Sequence, residues 1–102
     1  MPSAVRADVQ RMADAAGGAI PPRTDTNLLI ATWNLRAFAD LTEKWEAGLG
    51  DSPRRDWQAV ACIAAVIGCF DVVAVQEVRR DTTALRFLLD RLGPSGRVRT
   101  VV

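Results

Sequence analysis

Histidine is absent from the 102 residues, and cysteine occurs only twice, at Cys62 and Cys69. Without histidine and with so little thiolate, a zinc site of the usual kind has no ligand set. The two cysteines lie seven residues apart in an apolar, helical-looking run. Two helical turns put them on one face but about 10 Å apart along the axis, beyond the reach of a disulfide. They read as buried free thiols suited to a reducing compartment. An excess of either charge is also missing. Thirteen basic residues oppose twelve acidic ones, for a net charge of +1, so the whole molecule exerts no pull on nucleic acid or membrane. Aromatic residues make up only 6% of the chain. The Arg54-Arg55 and Arg79-Arg80 pairs, with Arg97 and Arg99, are interspersed with acids, which leaves no stacking platform along a basic groove. The longest apolar stretch, Val60 to Val75, is broken by Gly68 and Asp71 and is too short to span a bilayer. The first residues carry Arg6, Asp8, Arg11 and Asp14 where a secretory signal would need an apolar segment. The expected location is cytoplasmic.

What is present is a regular alternation of elements. Ser3 is placed to cap a first helix in which Val5, Val9 and Met12 recur at spacings of four and three, flanked by Ala13 and Ala16, with Gly17-Gly18 as its stop. Residues 1–27 then divide into this helix and a linker containing Pro21-Pro22, and the helix is expected to be an appendage to the core. Leu28 to Trp33 is a continuous apolar run ending at Asn34, the pattern of a strand covered on both faces. Gly48, Gly50, Ser52 and Pro53 mark a loop. Asp56 can cap a second helix with Trp57, Val60, Ala61, Ala64 and Ile67 on one stripe. Val72 to Val75 is short and β-branched, hence a second buried strand. Asp81 can cap a third helix carrying Leu85, Leu88, Leu89 and Leu92, stopped by Gly93-Pro94. Arg97 to Val102 has the alternating character of a further strand. The order predicts an α/β fold in which the strands at 28–34 and 72–78 are parallel neighbours joined by a right-handed crossover.

Ligands of open sheets gather beyond the carboxyl ends of the strands. Asn34 stands at one such end, and Gln76 and Glu77 at the other. Glu77 is a hard oxygen donor suited to magnesium, which takes one or two carboxylates together with water and phosphate oxygens. Asn34 can offer an oxygen to a cation or an N–H to a phosphate. Arg79 and Arg80 follow at once and have the planar fork that grips phosphate. Read locally, each residue also fits a plainer role. Glu77 fits a solvent-facing strand end paired with Arg79 or Arg80, Asn34 a turn, and the arginines a solvated face.

The wording of the two segments narrows this. Leu28-Leu29-Ile30-Ala31-Thr32-Trp33-Asn34-Leu35-Arg36 resembles the first strand of the endonuclease/exonuclease/phosphatase superfamily, and Asp71-Val72-Val73-Ala74-Val75-Gln76-Glu77-Val78 resembles its second signature. The best match is to the deoxyribonuclease-like branch, where an arginine closely follows the glutamate. The resemblance covers about Leu28 to Val102, in two motifs in the right order. It implies that residues 28–102 are the N-terminal part of a two-sheet, four-layer sandwich. It also implies a hydrolase, a Mg2+-dependent (or Mn2+-dependent) phosphodiesterase or nuclease with a phosphodiester substrate, DNA favoured. By the same resemblance, Glu77 would bind the metal, Asn34 would help bind metal and scissile phosphate, Gln76 would support the glutamate, and Arg79 would contact the phosphate backbone.

The departures are large. Neither family histidine can be present, and the closing Ser-Asp-His signature is missing. Asp25-Thr26-Asn27 has the letters of the family's internal Asp-x-Asn motif but precedes the first strand. The chain is therefore expected to be a truncated N-terminal portion, inert or weak alone, with apolar sheet surface exposed and self-association through it. The second reading is a non-catalytic α/β module derived from that fold, binding a partner through the sheet edge or the first helix.

Overall fold

The computed structural model describes residues 1–78 and 81–93, the side chains of residues 36, 37, 77 and 78 excepted. Among the described residues three helices and two strands alternate: α1 (Ser3–Ala19), β1 (Ile30–Phe38), α2 (Trp57–Ile67), β2 (Val72–Val78) and α3 (Thr83–Leu92). The strand expected at 97–102 lies outside the described residues. The fold is mixed α/β, and β1 and β2 pair in parallel, as the strand–helix–strand order predicts.

The helices follow their apolar stripes. Val60, Ala61 and Ala64 of α2 are buried, with Trp57 and Ile67 packed against the core. The Asp56 carboxylate caps α2 by accepting from the Ala59 N–H at 2.9 Å, and its other oxygen accepts from the Ala47 N–H at 2.8 Å, tying the preceding loop to the helix start. Asp81 acts one residue earlier than a standard cap. The helix boundary falls at Thr82, and Asp81 Oδ1 accepts from both the Thr83 hydroxyl (2.7 Å) and the Thr83 N–H (2.9 Å). Those two bonds, the hydroxyl first, hold the Asp81 carboxyl below its usual range. Gly93 ends α3 at φ +75°, a conformation that a side chain would strain.

The first helix departs from expectation in three ways. Pro2, not Ser3, occupies the cap position, and its carbonyl accepts from the Arg6 N–H. The helix runs through Gly17-Gly18 to Ala19. Two glycines weaken a helix by roughly 1 kcal/mol each relative to alanine but do not forbid one. The stop comes instead at Ile20, which precedes Pro21 and is pushed into the extended region found there. Finally, α1 is not an appendage. It packs on α2, Val5 is fully buried, and Gln58 of α2 donates to Asp8.

The core gathers Leu35 and Phe38 from β1, Leu41, Val60 and Ala64 from α2, and Ala84 and Leu88 from α3. Trp33 and Val75 reach it from the strands, so one face of the sheet is covered. The other face is not. Ile30 is 62% exposed and its strand partner Val72 50%, with Leu28 at 63%. The expectation of strands buried on both faces is therefore corrected: among the described residues helices cover a single side. The cysteines are likewise half-buried rather than buried, and both are free. Burial, then the nearby Asp56 charge, pushes the Cys62 thiol up, away from the reactive thiolate.

Strand β1 starts two residues later and ends four residues later than its apolar run predicts. Leu29 is held by a different device. The Leu29 N–H donates to Asp71 Oδ2 at 2.8 Å, while the Leu29 carbonyl accepts from the N–H groups of Asp71 (2.8 Å) and Val72 (3.2 Å). Arg23 closes over the same corner, its guanidinium on the carbonyls of Gly68 and Phe70 and near Asp71 Oδ1. The acid that interrupts the apolar run thus starts the sheet. Replacing Asp71 by alanine is expected to lower stability by about 1–2 kcal/mol, the range for a charge-assisted hydrogen bond on a partly exposed site. Arg23→Ala is expected to cost under about 1 kcal/mol, as exposed ion pairs do. Urea melts of the two variants check the order.

Candidate functional site

The site is built from the carboxyl-terminal halves of β1 and β2. The ladder runs without interruption from Ile30 opposite Val72 through Trp33 opposite Val75 to Asn34 opposite Gln76. Register neighbours in a sheet stand about 4.7–4.9 Å apart, so the asparagine and glutamine expected to share a strand end are brought together. Both side chains are exposed, one step beyond Thr32 and Ala74 on the same open face. Along that face the chemistry grades from apolar at Ile30 and Val72 to amide at Asn34 and Gln76.

After Asn34 the register slips. The next pairing is Phe38 opposite Val78, so β1 spends four residues where β2 spends two. Asn34 is therefore not the last residue of its strand, as its sequence suggests, but the last of the regular ladder. The slip also changes which way β1 faces. Strict alternation from exposed Asn34 would send Phe38 to solvent, yet Phe38 is fully buried. Extra residues in one strand bend it and re-aim side chains, and they recur beside functional sites. Along β2, Glu77 sits between the two pairings, so its backbone faces the slipped segment 35–37. The Glu77 side chain, and the whole of Arg79 and Arg80, lie outside the described residues.

One residue that sequence reasoning passed over as surface charge belongs to this place. Arg55 Nη2 donates to the Leu35 carbonyl at 2.6 Å, and its guanidinium carbon lies 5.2 Å from the centre of the Phe38 ring. Burial lowers the Arg55 pKa from its ordinary value. Nothing periodic in the sequence marks it. The nearest signal is its position immediately before the Asp56 cap.

Other groups stay apart. Among the described residues, no cluster of three or more His, Cys, Asp or Glu side chains is placed to hold a metal. The carboxylate of Asp51 is satisfied by the Gly48 N–H and Lys44 Nζ, which lower its pKa in that order. Asp25 and Asn27 belong to a turn closed by the Thr24 N–H on Asn27 Oδ1. A shallow cavity of about 350 Å3, lined by Met1, Arg6, Val9, Gln10 and Arg91, contains none of the strand-end residues. No described helix is long and apolar enough to cross a membrane.

Compared with known proteins, the chain matches no family model, no curated protein and no solved structure.

Proposed function

We propose that residues 28–78 supply the asparagine-and-glutamate half of a divalent-cation-dependent phosphodiesterase site, of the endonuclease/exonuclease/phosphatase kind that the two motifs resemble. The observation that supports this reading is that the regular parallel ladder ends at Asn34 opposite Gln76, so that Asn34 and the backbone of Glu77 stand within one residue of each other at the same end of the sheet. The donors suit magnesium or manganese, which accept a single protein carboxylate when amide, water and phosphate oxygens complete the shell. A bound divalent ion supplies Lewis-acid polarisation of a phosphoryl oxygen. Glu77 offers the anionic oxygen, and Asn34 a neutral oxygen or an N–H toward the phosphate. Gln76 flanks the pair, and Arg79 is proposed to grip the phosphodiester backbone, DNA first among substrates. The two-sheet sandwich belongs to the same proposal, with the open sheet face as the surface that the second sheet covers.

General-base catalysis usually contributes about 10²–10⁴-fold in rate, and histidine, its commonest agent, is absent. The 102 residues by themselves are therefore expected to bind the cation without fast turnover. Titrating Mg2+ into 15N-labelled protein checks the assignment. The side-chain amide signals of Asn34 and Gln76 should move together and saturate, and Glu77→Gln should abolish the movement. A flat titration, or one unchanged by Glu77→Gln, contradicts the reading.

The bare sheet face favours a second reading, a non-catalytic module that associates through it. Ile30 and Val72 form a contiguous apolar pair there, and exposed apolar sheet is a surface for association. Ile30→Thr with Val72→Thr should shift the sedimentation profile toward monomer while leaving the melting temperature within a few degrees. A profile that does not change rules this face out as the contact.

A further inference from the structure

We infer that Arg55 is a positioning residue of the strand-end site, fixing the slipped segment of β1 that faces Glu77. The inference rests on the phosphodiesterase reading and names a residue that neither motif contains. Three observations converge on it. First, Arg55 touches both ends of the slip. It bonds the carbonyl of Leu35, the residue after Asn34, and it lies over the ring of Phe38, where pairing with β2 resumes. Second, its own backbone is anchored. The Arg55 carbonyl accepts from the Thr42 N–H at 2.8 Å, and the next residue is the Asp56 cap of α2. The guanidinium is thus launched from a fixed point onto a segment that the ladder leaves irregular. Third, Arg55 is half-buried, a placement that costs free energy unless hydrogen bonding and ring contact compensate.

The planar fork explains why arginine stands here. It donates in plane to a carbonyl while its face rests on an aromatic ring, and a lysine ammonium cannot do both. Residues that orient ligands from behind typically change metal affinity by about 10–100-fold when removed. A guanidinium that only held the fold together would lower the melting temperature without changing the affinity of the folded molecules.

The test uses Arg55→Lys and Arg55→Met in the full chain, with Mn2+ as the probe. Isothermal titration gives affinity, circular dichroism confirms folding, and amide exchange reads the strand. Mn2+ binding should weaken about 10–100-fold in both variants, and exchange at Leu35 to Phe38 should quicken while α1 and α3 keep their protection. Should Arg55→Met fail to fold, Arg55→Lys decides alone, since it retains the charge and most of the side-chain volume. Folded variants that bind Mn2+ as the parent does overturn the role of Arg55 and leave the phosphodiesterase reading standing. A parent chain that binds no Mn2+ overturns that reading and the role with it.

Discussion

Everything that distinguishes this fold follows from one constraint: two parallel strands that agree in register as far as Asn34 and Gln76 and then disagree. A parallel pair has no tight turn to set its alignment and depends on what happens at its ends. At the entry end, Asp71 bonds the Leu29 N–H through its side chain and the Leu29 carbonyl through its backbone, leaving one alignment open. At the exit end, β1 uses two residues more than β2 before Val78 is met. That surplus turns Phe38 inward, where it joins Leu35, Val60 and Leu88 in the core. The site and the core therefore share an origin. The slip that buries a phenylalanine also ends the ladder at the amide pair.

The packing around the sheet is unequal. Helices α2 and α3 and the residues between β1 and α2 cover one face, with Trp45, Trp57 and Phe87 in edge and stacked contacts at its margin. Parallel sheets ordinarily bury both faces, and the open face here carries Ile30 and Val72 at its entry end and amides at its exit end. The apolar part is a surface for association, and the amide part is where the proposed cation site lies. Both functional readings start from that surface and differ in which end they emphasise.

Much of this was legible in the sequence, and the reasons can be traced residue by residue. The stripe on α2 and the leucines of α3 were legible because each has a single strong helical period, and the run at Val72 because it is short and β-branched. The Asp56 cap was legible from its place before that stripe. The end of α1 was not, because glycine lowers helix propensity by a modest amount while the conformational restriction before Pro21 is steric. The continuous apolar run at Leu28 suggested burial on both faces, but such a run records only that a strand is apolar. The slip after Asn34 left no mark, since register depends on partners distant in sequence. Arg55 and Asp71 were hidden for the same reason: their contacts reach 20 and 42 residues along the chain.

The central claim, that regular pairing stops at Asn34 and resumes at Phe38, is tested most directly by interstrand nuclear Overhauser effects in labelled protein. The account predicts cross-peaks linking Asn34 with Gln76 and Phe38 with Val78, and none in the pattern of a continuous ladder between them. Cross-peaks placing Leu35 opposite Glu77 and Arg36 opposite Val78 would contradict it.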